Sequence, residues 1–266
     1  MRWRCSAGAG AWSWTPVAYP GVWLVVAVIG VAYWRLSRGA GTPAGARWAG
    51  WLGVAALDVA LDWPVGSLAA GYLASAHALQ FLLVVLIAPP LLLIGVRHGL
   101  ERRWPRDPSR ARLLRAVLNP LLGAIAFNVI IVATHVPWVN DTLMPSQAGA
   151  FAIDLAWLTA GLWFWWPLIV PVPARPLFAV PLRMLYFFLG TMVHTGIGIL
   201  LLVADHPMYG VYELAPRATA LSAMTDLNVA GGIMELGGGG LIFGVLTVMF
   251  FRWTGGMGAE RDHASR

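Results

Sequence analysis

The stretch His77–Gly95, HALQFLLVVLIAPPLLLIG, holds one histidine and no formal charge. About 20 apolar residues at a rise of about 1.5 Å each cross a hydrocarbon core of roughly 30 Å, so the run reads as a membrane helix. His77 is then an intramembrane residue. An imidazole in lipid is costly unless it faces a bundle interior and finds a partner, which makes a functional role the first reading and a satisfied core histidine the second. Pro89 and Pro90 mark a bend or a tilt, because proline removes a backbone donor and crowds the preceding turn.

Composition extends that reading to the whole chain. Of 266 residues 59% are hydrophobic and 11% charged, with 15 tryptophans and a mean hydropathy of +0.70. These values describe an all-α, polytopic membrane bundle rather than a soluble domain. The net charge of +6 comes from arginine alone, and most arginines lie in short segments between apolar runs. Orientation accounts for that charge better than nucleic acid does. The lone Cys5 rules out an internal disulfide and any Cys-x-x-Cys motif, leaving methionine as the sulfur donor. Trp12, Trp14 and Pro16 interrupt the stretch after Arg2 and Arg4, so no cleavable signal peptide is expected.

Seven apolar segments follow in one membrane domain, at about 16–34, 47–63, 67–96, 117–135, 148–170, 180–203 and 229–251, with a tail at 252–266. The aromatic cluster WFWWP, residues 163–167, suits a headgroup boundary. No internal repeat stands out, which disfavours an inverted-repeat transporter. With the N-terminus outside, Arg35, Arg38, Arg47, Arg97, Arg102, Arg103, Arg106, Arg110, Arg112, Arg115, Arg175, Arg183, Arg252, Arg261 and Arg266 fall inside. Only Arg2, Arg4 and Arg217 fall outside. The asymmetry selects that orientation, with the C-terminus cytoplasmic.

Asp58, His77, His135, Asp154, His194 and Glu235 then come from six segments at a similar depth in the outer half. A shared depth suggests one cluster open to the outer aqueous side, with Met192 and Met234 nearby in sequence. Plainer roles compete at each position. His135 at a helix end suits capping, and Asp58 can mark the aqueous boundary. Asp154 and Glu235 can be neutral hydrogen-bonded acids, and the methionines can be packing. Gly231, Gly232 and Gly237–Gly240 read as a close-packing face, with Gly196 and Gly198 opposite, which would bring His194 and Glu235 together. A phosphate loop is a poor alternative in a chain without lysine.

Four spaced motifs resemble the CtaG-type cytochrome c oxidase assembly factors. HALQFLLVVLIAPPLLLIG is similar to a helix that opens H-x-x-Q-H and closes A-P-P-L-L with a glycine. FNVIIVATHVPW (127–138), GLWFWWPLI (161–169) and DLNVAGGIME (226–235) continue the likeness in order. Departures fall at chemical positions. Phe81 stands at the second histidine of the first motif, Asp154 at the histidine ahead of the Trp-Trp-Pro cluster, and Leu227 and Glu235 at a glutamine and a tryptophan of the last.

The resemblance implies a non-catalytic factor in a bacterial cytoplasmic membrane that helps mature a haem-copper terminal oxidase at the copper step. It would be in contact with lipid and with oxidase subunits, and not with nucleic acid. Copper(I) favours imidazole and thioether, and copper(II) imidazole and carboxylate. His77, His135 and His194 would be ligands, with Met192 or Met234 a soft donor and Asp154 or Glu235 balancing charge or orienting an imidazole. The alternatives are an accessory subunit of a respiratory complex, binding haem through His77 and His194 or another metal, and a proton or solute conduit through Asp154, His194 and Glu235. Few ionisable residues continue that conduit through the inner half, and no nucleophile, base and orienter set marks an enzyme.

Overall fold

Proline and short polar residues set where the helices start. Prolines sit in the first turn of helices beginning at Pro20, Pro108, Pro120, Pro137 and Val180, where a missing N–H costs nothing. Side chains of Asp107, Asn119, Ser146 and Ser222 accept from first-turn amides of the helices that follow them, satisfying donors that would otherwise be unpaired. The computed structural model describes residues 3–7, 10–170, 172 and 179–264, with side chains as far as 255. Arg2, Arg175 and Arg266 of the orientation argument lie outside the described residues, as does the side chain of Arg261.

Every element among the described residues is helical. In chain order they are α1 (Pro20–Ser37), α2 (Ala44–Leu61), α3 (Val65–Gly71) and α4, which runs through Ala74–Phe81, a π turn at Leu82–Ile87 and Ala88–Arg102. Then come α5 (Pro108–Val117), α6 (Pro120–His135), α7 (Pro137–Leu143), α8 (Gln147–Ile169), α9 (Val180–Leu202) and α10 (Gly210–Glu213). The last, α11, runs through Ala223–Gly232, a π turn at Ile233–Gly239 and Gly240–Ala264. Five of these are long and apolar enough to span a membrane. The number rises to seven if the bent pairs α2–α3 (46°) and α5–α6 (43°) each count as one span.

The expected 67–96 span differs in detail. Its first residues form α3 as a bent continuation of α2, and α4 starts afresh at Ala74. The proline pair sits directly after the π turn. Pro89 has no N–H to offer the carbonyl of Val85, and that carbonyl instead accepts from Trp165 Nε1 at 3.2 Å. Gly161 lets α8 come this close, since a Cβ there would lie 2.8 Å from Pro89 Cγ and 2.9 Å from Val85 O.

Interhelix bonds give the antiparallel order. At the arginine-rich end, Arg103 donates to Leu36 O at 3.0 Å and Arg102 to Gly39 O at 2.9 Å, so the end of α4 holds the α1–α2 turn, where Gly39 and Gly41 take positive φ. At the other end, Asn228 donates to Leu201 O and Leu202 O, joining the start of α11 to the end of α9. Apolar side chains such as Leu121, Val129, Leu236 and Phe243 face outward, as a lipid-contacting surface requires.

Candidate functional site

The starts of α4, α8 and α11 and the ends of α6 and α9 gather at one end of the bundle, and the chemistry-bearing residues lie there. Asp226 begins the arrangement. Its carboxylate accepts from Ala74 N at 2.6 Å, Ser75 N at 3.4 Å and Ser75 Oγ, so a residue of α11 caps the first turn of α4 across the interface. An anionic acceptor suits both the unpaired amides and the positive end of the helix dipole. α11 itself starts at Ala223, where Ser222 Oγ accepts from Thr225 N, ahead of the apolar run expected from 229.

His77 projects from that first turn, 6% exposed. Asn140 of α7 lies 3.4 Å from its Nε2 through Nδ2. An amide nitrogen only donates, so Nε2 accepts and the proton of the neutral ring rests on Nδ1, which has no partner. The His77 ring lies 4.9 Å from Trp157 and 5.8 Å from Tyr212. One turn along α4, Phe81 is 5.1 Å from Trp157, 5.1 Å from His135 and 5.4 Å from His194, and stacks on the last at 13°. Phe81 and Trp157 thus form an aromatic core with the three imidazoles around it.

The three rings differ in what they offer. His135, half-buried at the end of α6, donates from Nδ1 to Ile131 O at 2.8 Å, leaving the Nε2 lone pair open. That tautomer is the one a histidine ligand adopts when its second nitrogen is held by a carbonyl. His194 is fully buried, and neither ring nitrogen has a hydrogen-bond partner. An unpaired buried donor costs about 1–3 kcal/mol, so this ring is held against a preference for water. Gly238 in the second π turn makes room for it, since a Cβ there would overlap the imidazole. One turn away the Glu235 carboxylate lies over Gly198, close to Met234, and its Oε1 is buried without a partner.

Asp154 has a different environment. The N-terminal segment runs in from the same end, with Trp3 N and Arg4 N donating to Gln147 Oε1 at 2.8 and 3.1 Å and Ala7 N to Met144 O at 3.2 Å. It delivers the Arg4 guanidinium, 3% exposed, into an ion pair with Asp154, whose other oxygen accepts from Gln80 Nε2 at 3.3 Å. Burial draws Arg4 down to about 10, which keeps it charged at neutral pH. Beside it the Cys5 thiol donates to Leu61 O and contacts Ser67 Oγ, and burial pushes its pKa up.

The structure therefore brings His77, His135 and His194 to one aromatic core, sets Glu235 and Met234 on the α9–α11 seam beside His194, and ties Asp154 to Arg4. Met192, 42% exposed, lies on another flank of α9, and Asp58 is exposed on α2, apart from the expected cluster. Among the described residues no group of three or more His, Cys, Asp and Glu side chains converges closely enough to hold a metal ion. Phe81 fills the space between His135 and His194. Sequence reasoning missed Arg4, counted only as an outer charge, and Asn140, Trp157 and the capping role of Asp226. Only the Asp in DLNVAGGIME carried a signal.

A multi-span helical bundle with a histidine and aromatic core at one end defines a class of membrane protein rather than a reaction. The family model for the cytochrome c oxidase caa3 assembly factor (Caa3_CtaG) matches residues 9–255, and the chain belongs to that family. No curated protein and no solved structure matches it.

Proposed function

We propose that this protein assists maturation of a haem-copper terminal oxidase in a bacterial cytoplasmic membrane by handling copper as cargo at the histidine end, in a non-catalytic role. The observation that carries the reading is His135, whose Nδ1 is committed to Ile131 O while Nε2 is left as a lone pair. His194 lies on the same aromatic core with neither ring nitrogen hydrogen-bonded, Met234 supplies a thioether on the α9–α11 seam, and Glu235 can balance charge. Imidazole with thioether suits copper(I).

An anaerobic copper(I) titration of the detergent-purified full chain against a chromophoric chelator tests this. The expected result is stoichiometric binding, weakened about tenfold or more in His135→Ala and His194→Ala and unchanged in His206→Ala, an exposed loop residue. Phe81→His, placing an imidazole between His135 and His194, should tighten it. Wild-type protein that binds no copper, or binding indifferent to both core histidines, overturns the proposal.

A second reading is favoured by Phe81 filling the core and by Arg4 neutralising Asp154: an accessory subunit of a respiratory complex that keeps the fold with a closed site. Fixed-ratio co-purification with an oxidase, in protein that binds no copper, supports it. A haem Soret band in the pure protein would assign the imidazoles to haem.

A further inference from the structure

At the arginine-rich end a separate pocket of about 600 Å³ lies between the end of α1, the α1–α2 turn and the start of α2. Arg38 and Arg47 line it, Trp34, Trp48 and Trp51 form its aromatic wall, and every lining residue is among those described. We propose that this pocket holds the headgroup of an anionic phospholipid, with the phosphate shared by the Arg38 and Arg47 guanidinium groups.

Charge placement is the first argument. The carbonyls that end α1 are already answered by other cations, since Arg103 donates to Leu36 O and Arg35 O at 3.0 Å and Arg102 to Gly39 O at 2.9 Å. Arg38 and Arg47 are therefore surplus to the negative end of that helix. No acidic residue lines the pocket, and neither arginine pairs with a carboxylate among the described residues. Arg38 lies over the Trp34 ring, 4.7 Å from its centroid, and Arg47 acts electrostatically on Tyr33. Neither contact cancels a charge, because an aromatic face attracts a cation without neutralising it and a phenol is uncharged at neutral pH. Two guanidinium groups side by side suit the oxygens of a phosphodiester.

Helix polarity is the second. α2 starts at Ala44 without a side-chain cap and with no acidic residue in its first turn. Arg47 adds positive charge where the macrodipole is already positive, which is unfavourable to its own helix until an anion arrives. Ala44 lines the pocket as well, so dipole and side chains act on the same space. The walls are held without a ligand. Tyr33 donates to Arg47 O at 2.7 Å and meets Trp51 edge-on at 5.1 Å, and Trp51 closes on Gly30, where a Cβ would lie 3.6 Å from the indole. A preformed site loses little ordering entropy on binding.

The commitment to lipid rather than free phosphate rests on the tryptophans. Trp34, Trp48 and Trp51 are all exposed, as indoles at a headgroup boundary are. Val31 and Leu52, also exposed, lie about one turn further into α1 and α2. Acyl chains leaving the pocket therefore meet apolar side chains on a thinly covered span, with 22% of the α1 window buried. A soluble anion gains nothing from that surface.

The test is native mass spectrometry of the detergent-purified full chain after delipidation, titrated with phosphatidylglycerol or phosphatidylcholine, each with and without inorganic phosphate. Phosphatidylglycerol should be retained about tenfold better than phosphatidylcholine, and Arg38→Gln/Arg47→Gln should remove that preference. Arg110→Gln/Arg112→Gln, which takes the same charge from exposed positions of α5, should leave it unchanged. Ala44→Trp, filling the pocket with both arginines intact, should lower retention of phosphatidylglycerol. A thermal midpoint near wild type before lipid addition confirms that each variant is folded. Equal retention of both lipids by the wild type, a preference that survives the Arg38/Arg47 variant or falls equally in the α5 control, retention indifferent to Ala44→Trp, or phosphate displacing phosphatidylglycerol at equal concentration overturns the proposal.

Discussion

Arg4 and Asp154 show how much one side chain from the N-terminal segment determines at the histidine end. Both are almost fully buried, so removing one partner leaves an uncompensated charge. Arg4→Ala is expected to destabilise the protein by about 3–5 kcal/mol, whereas Arg4→Met with Asp154→Leu should recover most of the loss. Cys5 reports the same event. Burial keeps its thiol protonated and covered, so maleimide labelling near neutral pH should be slow in the wild type and faster in Arg4→Ala. Equal labelling rates would separate the segment's docking from the ion pair. The histidines were legible because an imidazole in an apolar run stands out at once. Arg4 was not, because a charge near a chain start is explained by orientation until a carboxylate 150 positions later is seen beside it.

At the scale of the element, helix ends are governed by partners on other helices. α4 begins at Ala74 because Asp226 receives its first amides, and no local residue does so. Asp226→Ala should cost about 1–2 kcal/mol and loosen the first turn that carries His77. Hydrogen exchange of residues 74–77 checks this, with protection falling there and remaining unchanged in α5. The spans themselves were readable from apolar length. Their boundaries were not, since α3 and the start of α11 depend on bends and caps that hydropathy does not record. The close approach of α9 and α11 was foreseen from glycine spacing, and Gly198 and Gly238 provide it, each opposite an ionisable side chain. What spacing did not show was Phe81 among the imidazoles, because one aromatic residue in an apolar run carries no signal of its own.

For the whole molecule, the imbalance of arginines between the two ends predicts that the histidine end faces outward. In a Cys5→Ser background, an impermeant maleimide applied to intact spheroplasts should label Thr219→Cys in the α10–α11 loop and not Ser109→Cys in α5, both exposed positions. The reverse pattern would turn the bundle over and place the core on the cytoplasmic side. The N-terminal segment has a consequence for biogenesis. Its anchors at Met144, Gln147 and Asp154 emerge from the ribosome more than 130 residues after it does. The first described stretch of the chain to be synthesised therefore docks only after α8 has been made, and its pairing with Asp154 is a late step of folding.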